Sequence, residues 1–389
     1  MRRIAIVGAG PAGCLAAHLL AEAGHRVRLF DGQGPWEKPC GGGLTARALH
    51  LDGAVGRDLP QQTIERISVY YGDRPAVTLT PSEPLVVVSR KQFGEHLLAG
   101  ALSSGVAFVR SRVTGVRREG AVWDVRTRDA SFDAEFLIGA DGATSIVRRY
   151  VAQPLAGDDL SVTLGYFIRG RVSSHMKIFF VPGVDGYLWS FPRPDHVSWG
   201  LITRPGPHWT RRGKALLENY IVADLGPEAM DEAVFYSAHV PRLRRETWTT
   251  HSVRGDGWAL LGDAAGLADP ITGEGIYYAL RSAHVLAGAF PDLDAYQEAI
   301  ETECIRDLER GSKLYDLFYS GRFLGASFRK RMVQLARHSP TIRGHMARLI
   351  AGAQPYRGLR RKLLASAPRV AAEMLAAPFR RVAANNGRL

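Results

Sequence analysis

The chain has 389 residues, 46% of them hydrophobic and 23% charged, which excludes a disordered or fibrous protein and allows a large core and more than one domain. The net charge of +12 sits at one end: residues 322–389 hold 15 lysines and arginines against a single acid, Glu373, while the rest is slightly acidic. Three scattered cysteines (Cys14, Cys40, Cys304) exclude a disulfide scaffold, no His/Cys cluster has metal-ligand spacing, and no apolar run reaches the roughly 18 residues of a membrane span.

No metal is therefore expected, and a reducing cytosol suits the cysteine count. The first apolar run, IAIVGAG, is too short and glycine-rich for a signal segment. It reads instead as a strand, Ile4–Val7, leading into Gly8-x-Gly10-x-x-Gly13 with Pro11 and Ala12 inside the motif. A helix to about Ala23 follows, Gly24 closes it, and a second strand, RVRLF, ends at Asp31. Gly8 permits the tight turn, Gly10 lets a pyrophosphate approach the backbone, and Gly13 lets helix pack on strand. Asp31, at the end of the second strand, is placed to accept ribose hydroxyls. The pattern predicts dinucleotide binding without saying which dinucleotide.

Next comes KPCGGGL, Lys38–Leu44, with Cys40 against Gly41, Gly42 and Gly43. A reactive thiol, half a metal site, a phosphate cradle and a flexible loop are all open readings of it. The segment PLVVVSRKQFGEHLLAGALSSG reads as a strand and then a helix with Arg90 at the junction, where a cation opposes the helix dipole and so invites another use. AEFLIGADGATSIVRR is a buried strand ending in Asp141. VPGVDGYLWSFPRPDHVSWGL reads as a hairpin turning at Arg193–His196; period two puts Tyr187, Trp189 and Phe191 on one face, with Pro192 closing the strand.

GWALLGDAAGLADPITGEGIYYALRS is a further strand ending in Gly262-Asp263, a Gly/Pro-rich turn, and a helix starting near Gly273–Gly275, just before Ile276. DAYQEAIETECIRDLERGSKLYDLFYS is a helix, and the basic tail follows as several short Arg-punctuated helical pieces ending in a polar run. His239, His251 and His284 have no partner at catalytic spacing, and no GxSxG occurs, so hydrolysis is not indicated.

The GxGxxG, Asp141 and Gly262-Asp263 segments, in this order, resemble the FAD-binding fold of p-hydroxybenzoate hydroxylase-like flavoproteins. Together with KPCGGG, the YLWSFP segment and DPITGEGI, they closely resemble the geranylgeranyl reductase family over roughly residues 1–300. The resemblance implies an α/β fold: a Rossmann-like FAD-binding domain with an inserted, mainly antiparallel β-sheet substrate domain and a C-terminal helical region. We divide the chain into FAD-binding parts 1–65, 89–150 and 251–300, substrate parts 66–88 and 151–250, and a basic helical region 301–389.

The resemblance further implies FAD held by Gly8, Gly10, Pro11, Ala12, Gly13, Asp31, Cys40, Gly41, Gly42, Gly43, Arg90, Asp141, Gly262, Asp263, Gly273, Gly275 and Ile276. Asp141 belongs to the motif that braces the domain. Tyr187, Trp189, Phe191 and Pro192 become walls of an apolar pocket suited to an isoprenoid chain. The expected reaction is reduction of an isoprenoid C=C bond in a polyprenyl lipid or quinone side chain. Hydride passes from flavin N5 to one alkene carbon and a proton, with Cys40 and Tyr187 as candidate donors, reaches the other. No second GxGxxG is visible, so NADPH visits transiently or a ferredoxin-like donor protein reduces the flavin. The alternatives are an FAD-dependent monooxygenase or halogenase, a non-redox flavin-bound cyclase, and a non-catalytic lipid-docked electron carrier.

For the tail, one expectation is helices packed on the flavin domain with solvated arginines. The other is a platform on an anionic membrane surface, which would make a cytoplasmic protein peripheral on the membrane inner face. No recognition motif supports nucleic acid.

Overall fold

The computed structural model describes residues 1–51, 59–72, 76–170, 173–206 and 209–386; the last three residues of the terminal polar run lie outside these. Strand Arg3–Val7 has buried side chains on both faces at Ile4, Ala5, Ile6 and Val7, the pattern of a parallel strand covered on both sides. It pairs in parallel with Arg26–Phe30 and with Phe136–Gly139. Trp258–Leu260 and Ala107–Val109 extend the sheet in parallel at either side, and Arg254–Gly255 adds an antiparallel edge. Helices Pro11–Glu22, Arg90–Ser103 and Ile276–Ala289 pack together over this sheet.

This strand order decides where a ligand goes. Gly8, Asp31, Asp141 and Gly262 each follow one of four adjacent parallel strands, so they lie in a row along the carboxyl edge of the sheet, the usual ligand crevice of such folds.

The second sheet runs Val234–Pro241, Leu160–Arg169, His196–Thr203, Gly186–Pro192, His175–Phe180, Arg66–Tyr71, Val77–Leu79. Its neighbours are antiparallel except for the parallel pair His175–Phe180 and Arg66–Tyr71. One face carries Leu188, Trp199 and Leu201, closed by Leu217 and Ile221 of helix Trp209–Leu225. The alternation that buries Leu188 on that face sends Tyr187, Trp189 and Phe191 to the other. A small sheet of Gly43–Leu44, Val86–Val88 and Gln61–Thr63 ties the triple-glycine loop to the strand before Arg90.

Three sequence expectations need correction. The helix expected across residues 294–320 is continuous but not α throughout: a π turn, Glu301–Ile305, joins Leu293–Ile300 to Arg306–Tyr319. The first tail helices, Phe328–His338 and Pro340–Ile350, pack on the antiparallel sheet rather than the flavin domain. Val333, Ala336, Met346 and Ala347 bury against Ile67, Val69, Leu79 and Met176, and the buried Arg329 guanidinium donates to the carbonyls of Val184 (2.7 Å) and Tyr319 (2.7 Å). Finally, the terminal pieces form one 28-residue helix, Leu359–Asn386.

Candidate functional site: a crevice under an aromatic strand

At the nucleotide end the three glycines play different parts. Gly8 has φ +101°, and a Cβ there would collide with the Ala140 carbonyl; one on Gly13 would collide with the Gly8 carbonyl. A Cβ on Gly10 would meet nothing within 4 Å. The chain's own packing thus requires two of the glycines, while the third faces open space at the start of helix Pro11–Glu22, which no side chain caps. Asp31 is oriented by its neighbours: Ala9 N–H donates to Oδ2 (2.9 Å), and Gln33 and Gly34 N–H to Oδ1 (2.8 and 2.9 Å). Pyrophosphate at a helix start and ribose at a fixed carboxylate fit this geometry.

The triple-glycine loop is held by two charged residues that sequence reasoning missed. Arg193, fully buried, pairs with Glu37 and donates to the carbonyls of Cys40 (2.5 Å) and Gly41 (3.4 Å). Its guanidinium also stands 3.1 Å from His196 Nε2 and 5.0 Å from the Phe167 ring centroid. Glu37 accepts from Ser89 Oγ (2.6 Å) and from the Arg90 amide (2.8 Å), so it caps the Arg90–Ser103 helix as well. Burial pushes the Glu37 carboxyl up, but Arg193 and these donors outweigh it and hold it below its ordinary value. The only hint in the sequence was an arginine between two prolines in a turn, where a buried charge is not expected.

Of the three glycines, only Gly42 needs positive φ (+82°); there a Cβ would also meet the Val88 carbonyl. Gly41 is small for a different reason, since the Phe191 ring occupies the space of its side chain. Cys40 is half-buried, and its Sγ accepts from the Gly42 amide at 3.3 Å. Burial raises its pKa, yet the Arg90 charge, that amide and Arg193 outweigh it and bring the thiol below its ordinary value. Cys14 and Cys304, by contrast, are fully buried with thiols pushed up to about 12. Arg90 is itself buried, not a surface residue, and its Nε has no hydrogen-bond partner. A buried donor left open beside the crevice fits an absent acceptor.

The aromatic strand spans the triple-glycine loop and the Thr272–Gly273 turn. Ring centroids of Tyr187 and Trp189 are 5.9 Å apart, and those of Trp189 and Phe191 6.2 Å. Phe191 lies on Gly41 at one end; at the other, the Tyr187 hydroxyl donates to the Thr272 carbonyl, beside Gly273 (φ +70°). Trp189 lies across Gly200, its register partner, where a Cβ would collide with the indole. Pro192 is buried at the strand end. Burial and nearby Asp269 hold the Tyr187 phenol above its ordinary pKa, so it keeps its proton.

The third segment closes the ring. Gly262 donates its amide to Ser282 Oγ (3.0 Å), and Gly275 caps the Ile276–Ala289 helix with Asp263 alongside. Asp263 also faces Lys38 Nζ at 3.9 Å, linking this turn to the triple-glycine loop. Asp141 stands differently. Its carboxylate accepts from Ser145 Oγ and from the Ile146 (2.6 Å) and Val147 (3.2 Å) amides, capping helix Ile146–Val151.

A carboxyl-edge crevice with an open glycine, a fixed carboxylate and a buried arginine whose Nε is left open fits a dinucleotide. Residues 1–292 match the FAD binding domain family, and the chain belongs to it, as an FAD-dependent oxidoreductase. An uncharacterised protein of Methanosarcina barkeri is 30% identical over 82% of this chain and 83% of its own. Geranylgeranyl diphosphate reductase of Synechocystis is 26% identical over 83% of each chain, and menaquinone reductase of Mycolicibacterium smegmatis 28% over 73% of this chain and 75% of that one. Among solved structures, a geranylgeranyl bacteriochlorophyll reductase-like protein of Thermoplasma acidophilum superimposes with TM-score 0.75 at 24% identity, covering 93% of this chain and 98% of that one. The flavin-dependent brominase Bmp2 shares the fold, with TM-score 0.67 at 19% identity over 90% and 93% of the two chains.

Proposed function

We propose that this protein saturates C=C bonds in the isoprenoid chain of a polyprenyl lipid or quinone. The observation that carries this reading is the Tyr187–Trp189–Phe191 face, which runs from the Gly41 loop to the Thr272 turn and so roofs the flavin crevice with apolar surface. A polyprenyl chain offers no hydrogen bonds, so such a wall must supply both its affinity and its register.

When bound and reduced, FAD supplies the electron pair and one hydrogen. The rest falls to the chain. Gly10 and the following helix start would hold the pyrophosphate, Asp31 the ribose, and Arg90 an anionic or carbonyl acceptor of the cofactor. Arg193 fixes the Cys40–Gly41 carbonyls and so the shape of the triple-glycine loop. Trp189 and Phe191 exclude water and hold the alkene flat, since an unactivated double bond reacts only when tightly placed. Of the two candidate proton donors for the second alkene carbon, Cys40 is the freer, because the Tyr187 hydroxyl is engaged on the Thr272 carbonyl. Electrons arrive from NADPH or a ferredoxin-like protein that docks transiently. The tail meets an anionic lipid surface, placing the protein at the membrane inner face; no described helix is long and apolar enough to cross it.

Oxygen uptake tests this reading against oxygenase or halogenase chemistry on the same fold. A reductase shows no rise in oxygen consumption when a polyprenyl lipid is added to the reduced protein in air. A rise matched by oxygenated or halogenated product would refute it.

A further inference from the structure

Leu324 is the one non-glycine residue with positive φ (+48°) among the described residues. With Gly325 (φ +76°) it forms the two-residue turn of the hairpin Arg322–Phe323 and Ala326–Ser327. Both turn positions need left-handed backbone, which favours Asn-Gly; a leucine at the first is strained. Leu324 is also 69% exposed, and Phe323 beside it 44%. Strain and apolar exposure therefore coincide at one residue. The arrangement is held from behind: the Arg331 guanidinium donates to the Leu324 carbonyl from Nε (3.0 Å) and Nη2 (2.5 Å). Strain maintained in this way points to function.

Behind the tip an open groove of about 440 Å³ runs between helices Phe328–His338 and Leu359–Asn386. Leu324, Leu335 and Met374 line it together with Arg331, Arg337 and His338. On the helix forming its far wall, Leu375 is 77% and Leu364 64% exposed. Leu364, Pro368, Ala371 and Leu375 follow the spacing of one helical face, all four are exposed, and Arg360 and Arg361 flank them. The opposite face turns inward. There Glu373, the single acid after Arg322, is buried and accepts from Ser339 Oγ and Thr341 Oγ1 (2.8 Å). The outward surface of this region thus shows leucines and bases with no competing carboxylate.

We propose that the Phe323–Leu324 tip, the basic groove behind it and the Leu364–Leu375 stripe form one docking surface for an anionic phospholipid bilayer. The tip enters the acyl boundary and the arginines meet the headgroups. Charge decides the occupant: a second copy of the chain would bring the same excess of bases to the same face. The surface is also tied to the candidate site. Tyr356, just ahead of Leu359, donates its hydroxyl to Asp269 (2.9 Å) in the turn that receives Tyr187. This deepens the reading of a lipid-borne substrate and rests on it only for its purpose.

The test is co-sedimentation of the full FAD-bound chain with vesicles of phosphatidylcholine, with and without phosphatidylglycerol. The wild type sediments with the anionic vesicles, and less as salt rises. Leu324→Asn suits the turn, so the variant unfolds at no lower temperature, yet its partition falls roughly tenfold. Arg360→Gln and Arg361→Gln each lower partition about fivefold. The proposal fails if the wild type does not prefer anionic vesicles or if Leu324→Asn binds as the wild type does. It also fails if the wild type self-associates without lipid and Leu324→Asn abolishes that, which would make the surface a chain–chain interface. Reduction of a short, detergent-soluble isoprenoid by the same samples reports separately on the reductase reading.

Discussion

Replacing Arg193 by methionine keeps its length and removes its charge. The variant loses the pair with Glu37 and the bonds to the Cys40 and Gly41 carbonyls, all at a fully buried position. Breaking a buried pair from one side costs about 3–5 kcal/mol. Glu37 keeps Ser89 Oγ and the Arg90 amide and is only partly buried, so the lower end, about 3 kcal/mol, is expected in urea unfolding. The specific readout is Cys40 itself. Iodoacetamide labelling of the native protein, mapped by peptide mass, sees this thiol selectively because Cys14 and Cys304 are buried with thiols near 12. Removing a cation that favours the thiolate moves the pH midpoint of Cys40 labelling upward. Arg193→Lys keeps the charge but cannot fork across two carbonyls, so it restores the midpoint more fully than the stability. An Arg193→Met protein that is destabilised yet labels at the wild-type pH midpoint would refute the electrostatic coupling; one with unchanged stability would refute the staple.

The glycine motif gives a matched pair: Gly10→Ala leaves the melting temperature of the FAD-free chain unchanged but weakens FAD binding roughly tenfold or more by titration, whereas Gly13→Ala, meeting the Gly8 carbonyl, destabilises the chain itself by about 1–3 kcal/mol. His251 gives a pH dependence. Burial, with Arg148 beside it, lowers its pKa to about 3, so the folded state holds it neutral. Its contribution is complete above pH 6.5, the ordinary value, and is lost as pH falls from there toward 3, at up to about 1.4 kcal/mol per pH unit. Urea midpoints for wild type and His251→Gln should converge across that window; parallel curves would contradict the assignment. Gly200→Val pushes Trp189 off its seat and should lower affinity for long polyprenyl chains, measured by binding titration, more than affinity for FAD.

The parallel sheet was legible because its strands are short apolar runs ending in glycine or aspartate, and the chain repeats that pattern at Val7, Phe30, Gly139 and Leu260. The aromatic face was legible from period two alone. What escaped was whatever depends on contacts between distant segments. Arg193 and Glu37 look like surface charges in sequence and become buried partners only when hairpin and loop meet. The special demand on Gly41 comes from Phe191, 150 residues later. The tail misled in the same way: its alternation of arginine with leucine or alanine fits a solvated helix, a sheet-covering helix and a lipid-facing one. The buried Arg329 shows that the first of these helices covers the sheet, which only the folded contacts reveal.

Anaerobic turnover tests the central claim most directly. The protein is reduced with dithionite under argon, given polyprenyl diphosphates, ether lipids and quinones in turn, and the products are weighed by mass spectrometry while flavin absorbance is followed. The account predicts that at least one lipid gains two mass units per reduced bond in step with flavin reoxidation. No gain with any of them, together with oxygenated or halogenated product once air is admitted, would contradict it.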